Sequence, residues 1–364
     1  MNEISIALSK SYLERFGAIM HHNIDKALLA AGEVTTKFGG GTIDKPMLLV
    51  IGDRATFSVG NNRIPVEEIA IKSAKEWFYN NLRFIDPDNH VKFQIELKKG
   101  SAALTDIFRR KSKILGANDT SAAVGYAPMT TTEKVVMDTE NFLNSLEFKN
   151  KFPETGEDVK VMGLRVDNHL SLTIASCFVD KFIDSEERYF NKKAEVHDEI
   201  NSYLRRTKFD DVDVKINTLD ARGRGINGVY LTVLGTSADG ADCGQVGRGN
   251  RVNGVISLNK PQSSEAAAGK NPTSHVGKIY NVLSFKLAQE IYDNVDGIKE
   301  VYVWLLSQIG QSIDQPKIAA TQIIPEDGNS IKELRPKIQS VLQYHLNNID
   351  EFTMRLALGE IPIC

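Results

Sequence analysis

The stretch from Asp239 to Lys278 constrains this chain more than any other, because it places seven glycines among Arg248, Arg251, Lys260, Lys270, His275 and Lys278. Glycine lets a backbone approach a ligand closely and turn its amides inward as an anion-binding nest, and the cations add charge without crowding. The stretch therefore reads as a cradle for a polyphosphate, against the plainer alternative of a surface loop with solvated arginines. Asn271 and Pro272 are expected to cap and open a helix running through Ile279, Val282, Leu283, Leu287 and Ile291. Lys270 would then stand at a helix N-terminus, where anions are already favoured.

Within this stretch, Ala241-Asp242-Cys243-Gly244-Gln245-Val246-Gly247-Arg248 resembles a motif of S-adenosylmethionine synthases. Val246 to Gly254 and Glu265 to Pro272 are similar to the archaeal branch of that family, and the resemblance covers essentially the whole chain. It implies an α+β fold of three similar tandem domains with segment exchange between them, approximately residues 1–125, 126–237 and 238–364. It also implies that ATP and L-methionine are the substrates. The methionine sulfur attacks the ribose 5′ carbon, tripolyphosphate leaves, and that product is cleaved to pyrophosphate and phosphate. Mg2+ and K+ are the expected ions, and a homodimer with its active site between subunits is the expected assembly. Family members carry a Gly-His-Pro-Asp segment just before the first helix of this chain, so about 20 to 40 further residues are expected upstream. A chain without that segment could instead be a catalytically incomplete nucleotide-binding homologue or a partner subunit.

Composition narrows the classes. The 364 residues are 41% hydrophobic and 25% charged, enough for two or three buried cores. A formal net charge of -3, with no long basic run, gives no reason to expect nucleic acid or an acidic membrane as partner. No apolar run approaches the ~18 residues of a membrane span, and no secretory leader is visible. Cys177, Cys243 and Cys364 lie far apart without metal spacing, which suits a reducing cytoplasm. The glycine stretch lacks the GxxxxGK[ST] spacing of a P-loop, which disfavours a generic kinase or ATPase.

Along the chain, Ile4, Leu8, Tyr12 and Phe16 predict a helix stopped by Gly17. The pair His21-His22 falls in a strand, where neighbours point to opposite faces and cannot easily share a metal. Strands are expected at Met47 to Ile51, Val91 to Leu97, Leu170 to Ile174, Val212 to Asn217, Val229 to Leu234 and Val301 to Leu306. Helices are expected at Ile64 to Arg83, Ser185 to about Arg206, and Ile331 to Leu358 despite Pro336. Asp158 and Lys160 should share one face of a strand, since side chains repeat every two residues.

Residue roles follow from the resemblance. Asp25 falls near a monovalent-cation site, Glu33 meets the methionine ammonium, and Gly100 with Ser101 lies in a nucleotide loop. That loop departs from the archaeal pattern at Lys98 and Ala103. Asp119 holds the amino group of methionine, Asp158 faces the nucleotide, and Lys160 the phosphate chain. Gly247 allows close backbone approach, and Asp242 is the favoured Mg2+ ligand, ahead of Asp158. A thioether sulfur has no proton to lose, so its attack needs no general base. What the step needs is in-line positioning and positive charge on the leaving triphosphate. Lys160, Arg248, Lys270, His275 and Lys278 are the candidates for that work.

Overall fold

The structure, a computed structural model, describes residues 1–101, 105–106, 108, 114–206, 209 and 211–363. Alternating apolar residues build three small sheets, each with one face covered by helices and its own buried core. In the first sheet, His22–Ala30 pairs antiparallel with Met47–Ala55, and Val91–Lys99 adds a parallel strand beyond it. The helices Asn2–Phe16 and Val66–Asn81 supply Leu8, Tyr12, Ala70 and Phe78 to the core behind that sheet. Gly17, at φ 67°, closes the first of these helices in the left-handed conformation that glycine adopts without strain.

The second sheet is centred on His169–Val179, with Thr155–Val166 antiparallel on one side. On the other side lie Asp211–Ile216 and then Leu231–Thr232, both parallel to it. Helices Thr131–Leu143 and Glu186–Leu204 pack Val135, Tyr189, Val196 and Ile200 into its core. The expected strand at Val229 to Leu234 shortens to Leu231–Thr232 because the Asp239 carboxylate accepts the N–H groups of Val233 and Leu234 and turns the chain away.

The third sheet joins Ala122–Ala127, Ile298–Leu306 and Ile318–Pro325, all antiparallel. The Val276–Asn294 helix is apolar on most of its circumference, as a helix buried between layers must be. It packs against this sheet on one side and the Ile331–Asn347 helix on another. The single helix expected over 331–358 divides at Asn348 into Ile331–Asn347 and Ile349–Leu358.

Two segments cross between cores. Ala117, Ala123 and Ala127 join the third core, whereas Leu234 and Ala238 join the first. Gly244–Gln245 then pairs with Leu28 and Leu29 at the edge of the first sheet. The expected limits at 125/126 and 237/238 cut through these crossing segments, because strand pairing and not chain order decides which core a segment enters. The crossing delivers the glycine-rich stretch to the seam between first and third sheets.

Candidate active site

The seam is clasped at Gly269, whose carbonyl accepts the Ile24 N–H at 2.7 Å. Gly269 has φ 78°, and a Cβ there would lie 2.0 Å from the Ile24 carbonyl oxygen, so only glycine permits this approach. The clasp sets Lys270 against the first sheet. Its Nζ lies 2.6 Å from Asp25 Oδ2 and 3.3 Å from Glu265 Oε2, and the side chain is buried. Lys26 Nζ approaches the same Asp25 oxygen at 2.9 Å. Burial alone would raise the Asp25 carboxyl, but hydrogen bonds from Asp53, Lys26 and Lys270 outweigh it and hold Asp25 below the usual carboxylate range. Burial and then the neighbouring Asp25 push Asp53 the other way, up to about 6, so Asp53 is the member of the pair that takes up a proton first as pH falls.

The cap of the following helix is not where the sequence suggested. Asn271 Oδ1 accepts the N–H groups of Thr273 and Ser274 in a turn of its own. The helix starts at Val276 with His275 as its cap, and His275 Nδ1 accepts the Gly277 N–H at 3.2 Å. Burial, reinforced by Lys270, lowers the His275 pKa to about 4. Without a bound anion, His275 is therefore a neutral capping group near pH 7. Its ring, Glu265 and Asp119 place ligand atoms within 4.8 Å of one another.

Lys278, in the first turn of the helix, is almost wholly buried, and its Nζ donates to Asn2 Oδ1 at 2.9 Å. Burial, then the Lys270 charge, lowers its pKa to about 7. His22 closes the same cluster from the strand side. Its ring nitrogens lie 2.9 Å from Ser5 Oγ and 3.1 Å from the Met20 carbonyl, and burial drops its pKa to about 3. His21 and His22 thus point apart and both are buried, which matches a packed pair.

Two cavities open beside this buried cluster and share the wall formed by Met1, Leu29, Leu49 and Gly244. The first, about 320 Å³, is lined by Gly247, Arg248, Arg251 and Glu265 among others. Gly247, at φ 88°, carries the turn that presents Arg248. Neither arginine forms an ion pair among the described residues. The second, about 480 Å³, is lined by Asp158, Lys160, Asp242 and the apolar Ile4, Trp77 and Phe78. Asp158 and Lys160 share its wall, as the two-residue period of the Thr155–Val166 strand requires. Asp158 Oδ2 also accepts the Ser237 N–H at 3.0 Å, which pins the crossing segment. Lys160 lies 3.7 Å from Asp242, with both side chains exposed.

Other expected residues stand apart from these cavities. Glu33 is exposed on a small hairpin, 3.1 Å from Lys45 Nζ. Gly100 makes room for a neighbouring side chain, since a Cβ there would lie 2.4 Å from His21 Nδ1. The Ser101 carbonyl accepts the Thr105 N–H at 3.0 Å, and Ala103 lies outside the described residues. Sequence reasoning passed over Glu265 and Asp53. Glu265 stood in the quoted run Glu265 to Pro272, but five residues from Lys270 no periodicity linked the two. Asp53 had one signal only in the structure, its φ of 95°.

Comparison with known proteins agrees with the fold and the motifs. The S-adenosylmethionine synthetase (AdoMet synthetase) family matches residues 1–360. The S-adenosylmethionine synthase of Methanothermobacter thermautotrophicus is 43% identical over 358 residues, which is 98% of this chain and 89% of that protein. The S-adenosylmethionine synthase of Pyrococcus furiosus is 44% identical over 362 residues, 99% of this chain and 90% of its own. A probable S-adenosylmethionine synthase of Aquifex aeolicus is 44% identical over 352 residues, covering 96% and 87%. Among solved structures, an unusual S-adenosylmethionine synthetase from Campylobacter jejuni superposes with a TM-score of 0.58 at 14% identity, covering 96% of this chain and 84% of that one, a likeness of fold alone. With a match over almost its full length, the chain belongs to the S-adenosylmethionine synthetase family, in its archaeal branch.

Proposed function

We propose that this chain forms S-adenosylmethionine from ATP and methionine in the two joined cavities, and that it cleaves the departing tripolyphosphate to pyrophosphate and phosphate. The observation that carries the reading is the meeting of two arms of the glycine-rich stretch at one seam. Arg248 and Arg251 come from the first arm, and Lys270 with Glu265 from the second. The triphosphate occupies the smaller cavity, where unpaired guanidinium groups and glycine amides meet its charge. Adenosine fits the larger cavity, with Trp77 and Phe78 as apolar walls and Asp158 as an acceptor. Asp119 and Glu265 form an acidic pair that suits the ammonium of methionine. Glu33, away from both cavities on its hairpin, reaches that ammonium only through a different subunit or a rearranged hairpin.

Asp242 fits magnesium as an exposed carboxylate in the larger cavity, two residues from Gly244 in the wall shared with the triphosphate cavity, because this ion keeps several waters and takes its remaining ligands from phosphate oxygens. Bound there, magnesium would neutralise charge on the leaving chain. Potassium suits Asp25 poorly: two lysines crowd Oδ2, and only the buried Oδ1 lacks a hydrogen-bond partner among the described residues.

The feature that supports a homodimer is the strand that carries Asp158 and Lys160. Met162, Leu164 and Val166 continue that face outward and are all exposed. A second copy seated on this row would reach the mouth of the larger cavity, which puts the active site at the subunit interface. Among the described residues no helix is long and apolar enough to cross a membrane. Buried Cys177 and exposed Cys243 are both free thiols, and this fits work in a reducing cytoplasm.

The test is incubation with ATP, methionine and magnesium, followed by mass detection of the sulfonium product. Its appearance supports the reading. Phosphate release without sulfonium would establish a hydrolase instead. The relatives do not favour a catalytically silent nucleotide-binding chain.

A further inference from the structure

The turn that presents Arg251 is held from outside the glycine-rich stretch. Arg251 N donates to the Val255 carbonyl at 3.1 Å, and Gly254 N donates to the Arg251 carbonyl at 2.9 Å, which makes residues 251–255 a compact turn. Asn253 Nδ2 in that turn donates to Tyr126 Oη at 3.0 Å, and Tyr126 Oη donates to Glu133 Oε1 at 2.5 Å. Ser257 Oγ, just past the turn, donates to the same Glu133 oxygen. The other oxygen, Oε2, accepts the Thr130 N–H at 2.7 Å and completes the capping box of the Thr131–Leu143 helix. One carboxylate oxygen therefore serves the helix, and the other serves the loop, directly through Ser257 and by way of Tyr126 of the third sheet. The turn also rests on that helix at Gly254, where a Cβ would lie 3.2 Å from Met137 Sδ.

The held side chain is incompletely satisfied. Arg251 Nη2 donates to Gln262 Oε1, while Nε is buried with no hydrogen-bond partner among the described residues. A buried guanidinium donor without an acceptor is costly, and Arg251 lines the 320 Å³ cavity. Oxygens of a phosphate chain are acceptors of matching charge, and a fork of N–H groups suits them.

We propose that Glu133 is the positioning residue of Arg251, holding that side chain where it meets the phosphate chain, an inference that rests on the triphosphate occupying the smaller cavity. Glu133 touches no substrate. It acts by fixing the turn, so its effect passes through Arg251.

The experiment is a calorimetric titration of the full chain with magnesium tripolyphosphate, alongside steady-state kinetics. Arg251→Ala is expected to weaken binding roughly ten- to a hundredfold, the loss of a charge-assisted hydrogen bond. Glu133→Gln keeps an acceptor for the capping box and is expected to weaken binding several-fold, with the KM for methionine unmoved. The double variant should bind no more weakly than Arg251→Ala alone, because a positioning residue has nothing left to position. Should Glu133→Gln fail to fold, Ser257→Ala removes a loop contact alone and takes its place in the cycle. Parent-like binding by Arg251→Ala, or full additivity in the double variant, overturns the inference. Arg248→Ala separates the two readings. If it weakens binding while Arg251→Ala does not, only the present inference falls; if neither does, the triphosphate site itself is elsewhere.

Discussion

The two arms of the glycine-rich stretch carry similar charge in opposite settings. Along residues 244–254 the arginines face open cavity and find no carboxylate among the described residues, with glycines bearing positive φ at 247, 249 and 254. Along 265–278 the cations are buried: Lys270 lies between Asp25 and Glu265, and Lys278 is sealed beneath it. An exposed, unpaired cation draws an anion from solution and adds binding energy to ground and transition states alike. A buried, pre-paired cation costs its desolvation during folding and stands ready where charge develops. On the function proposed above, the difference assigns recruitment of the triphosphate to the first arm and its expulsion to the second.

The largest expected effect tests that division directly. Lys270→Ala should lower kcat by roughly 100-fold or more, since it removes a preorganised charge in a water-poor site. It should also destabilise the fold by about 3 kcal/mol, because Asp25 and Glu265 lose a buried partner. Arg248→Ala should instead raise the KM for ATP about tenfold with kcat nearly kept. Steady-state kinetics on both variants decides it. A pure KM effect from Lys270→Ala would erase the distinction between the arms.

Stability against pH sharpens the comparison next, since His275 of the buried arm and His22, packed into the same cluster from the first sheet, both have depressed pKa values. His275 falls from 6.5 to about 4 and His22 from 6.5 to about 3 on folding. Between those limits the unfolded chain binds protons that the folded chain refuses. These two histidines thus contribute a loss of stability as pH falls from 6.5 toward 4, opposed in the lower part of that window by Asp53 and Asp239, whose carboxyls burial raises to about 6 on folding. Denaturant midpoints measured from pH 7.5 to 4.5 read the net slope, and His275→Asn should remove about one proton from the histidine part of it. A pH slope unchanged by His275→Asn would mean that this histidine is not buried neutral.

Lys278 gives a smaller effect of related origin. Its pKa drops from 10.5 to about 7, so the unfolded chain holds more protons between pH 7 and 10.5 and stability rises across that window. Lys278→Met should raise Tm at pH 7, and the gain should shrink toward pH 10. A gain independent of pH would show that Lys278 is not titrated by folding.

How much of this was legible in the sequence depends on distance along the chain. Local signals worked: Gly17 stops its helix, Ser185 caps Glu186–Leu204, and alternation marks Val91–Lys99 and Ile298–Leu306. Asp158 and Lys160 reach one cavity because a two-residue period is a local fact. The resemblance of the 241–272 motifs gave the family and the cationic stretch. Partners that meet only through tertiary structure were not legible. Lys270 finds Asp25 across 245 residues, Ser257 finds Glu133 across 124, and His275 displaces Asn271 as cap because its ring is buried against the first sheet's cluster. Gly100 likewise answers to a neighbour that no spacing rule names, since a Cβ there would lie 2.4 Å from His21 Nδ1.

The smallest predicted change in stability lies on the open side, at the Lys160–Asp242 pair. The two groups stand 3.7 Å apart with most of each side chain in solvent, and exposed pairs of this kind contribute about 0 to 1 kcal/mol. Asp242→Asn should leave the denaturant midpoint within about 0.5 kcal/mol of the parent. It should nevertheless raise the magnesium concentration needed for half-maximal activity, because on the function proposed above the carboxylate and not the pair is the ligand for the ion. Lys160→Met provides the control, since it breaks the same pair while leaving the carboxylate and should lower activity without moving the magnesium requirement upward. Were both variants to shift stability by several kcal/mol and leave magnesium dependence alone, Asp242 would belong with the buried arm as a structural group, and the open arm would lose its metal ligand.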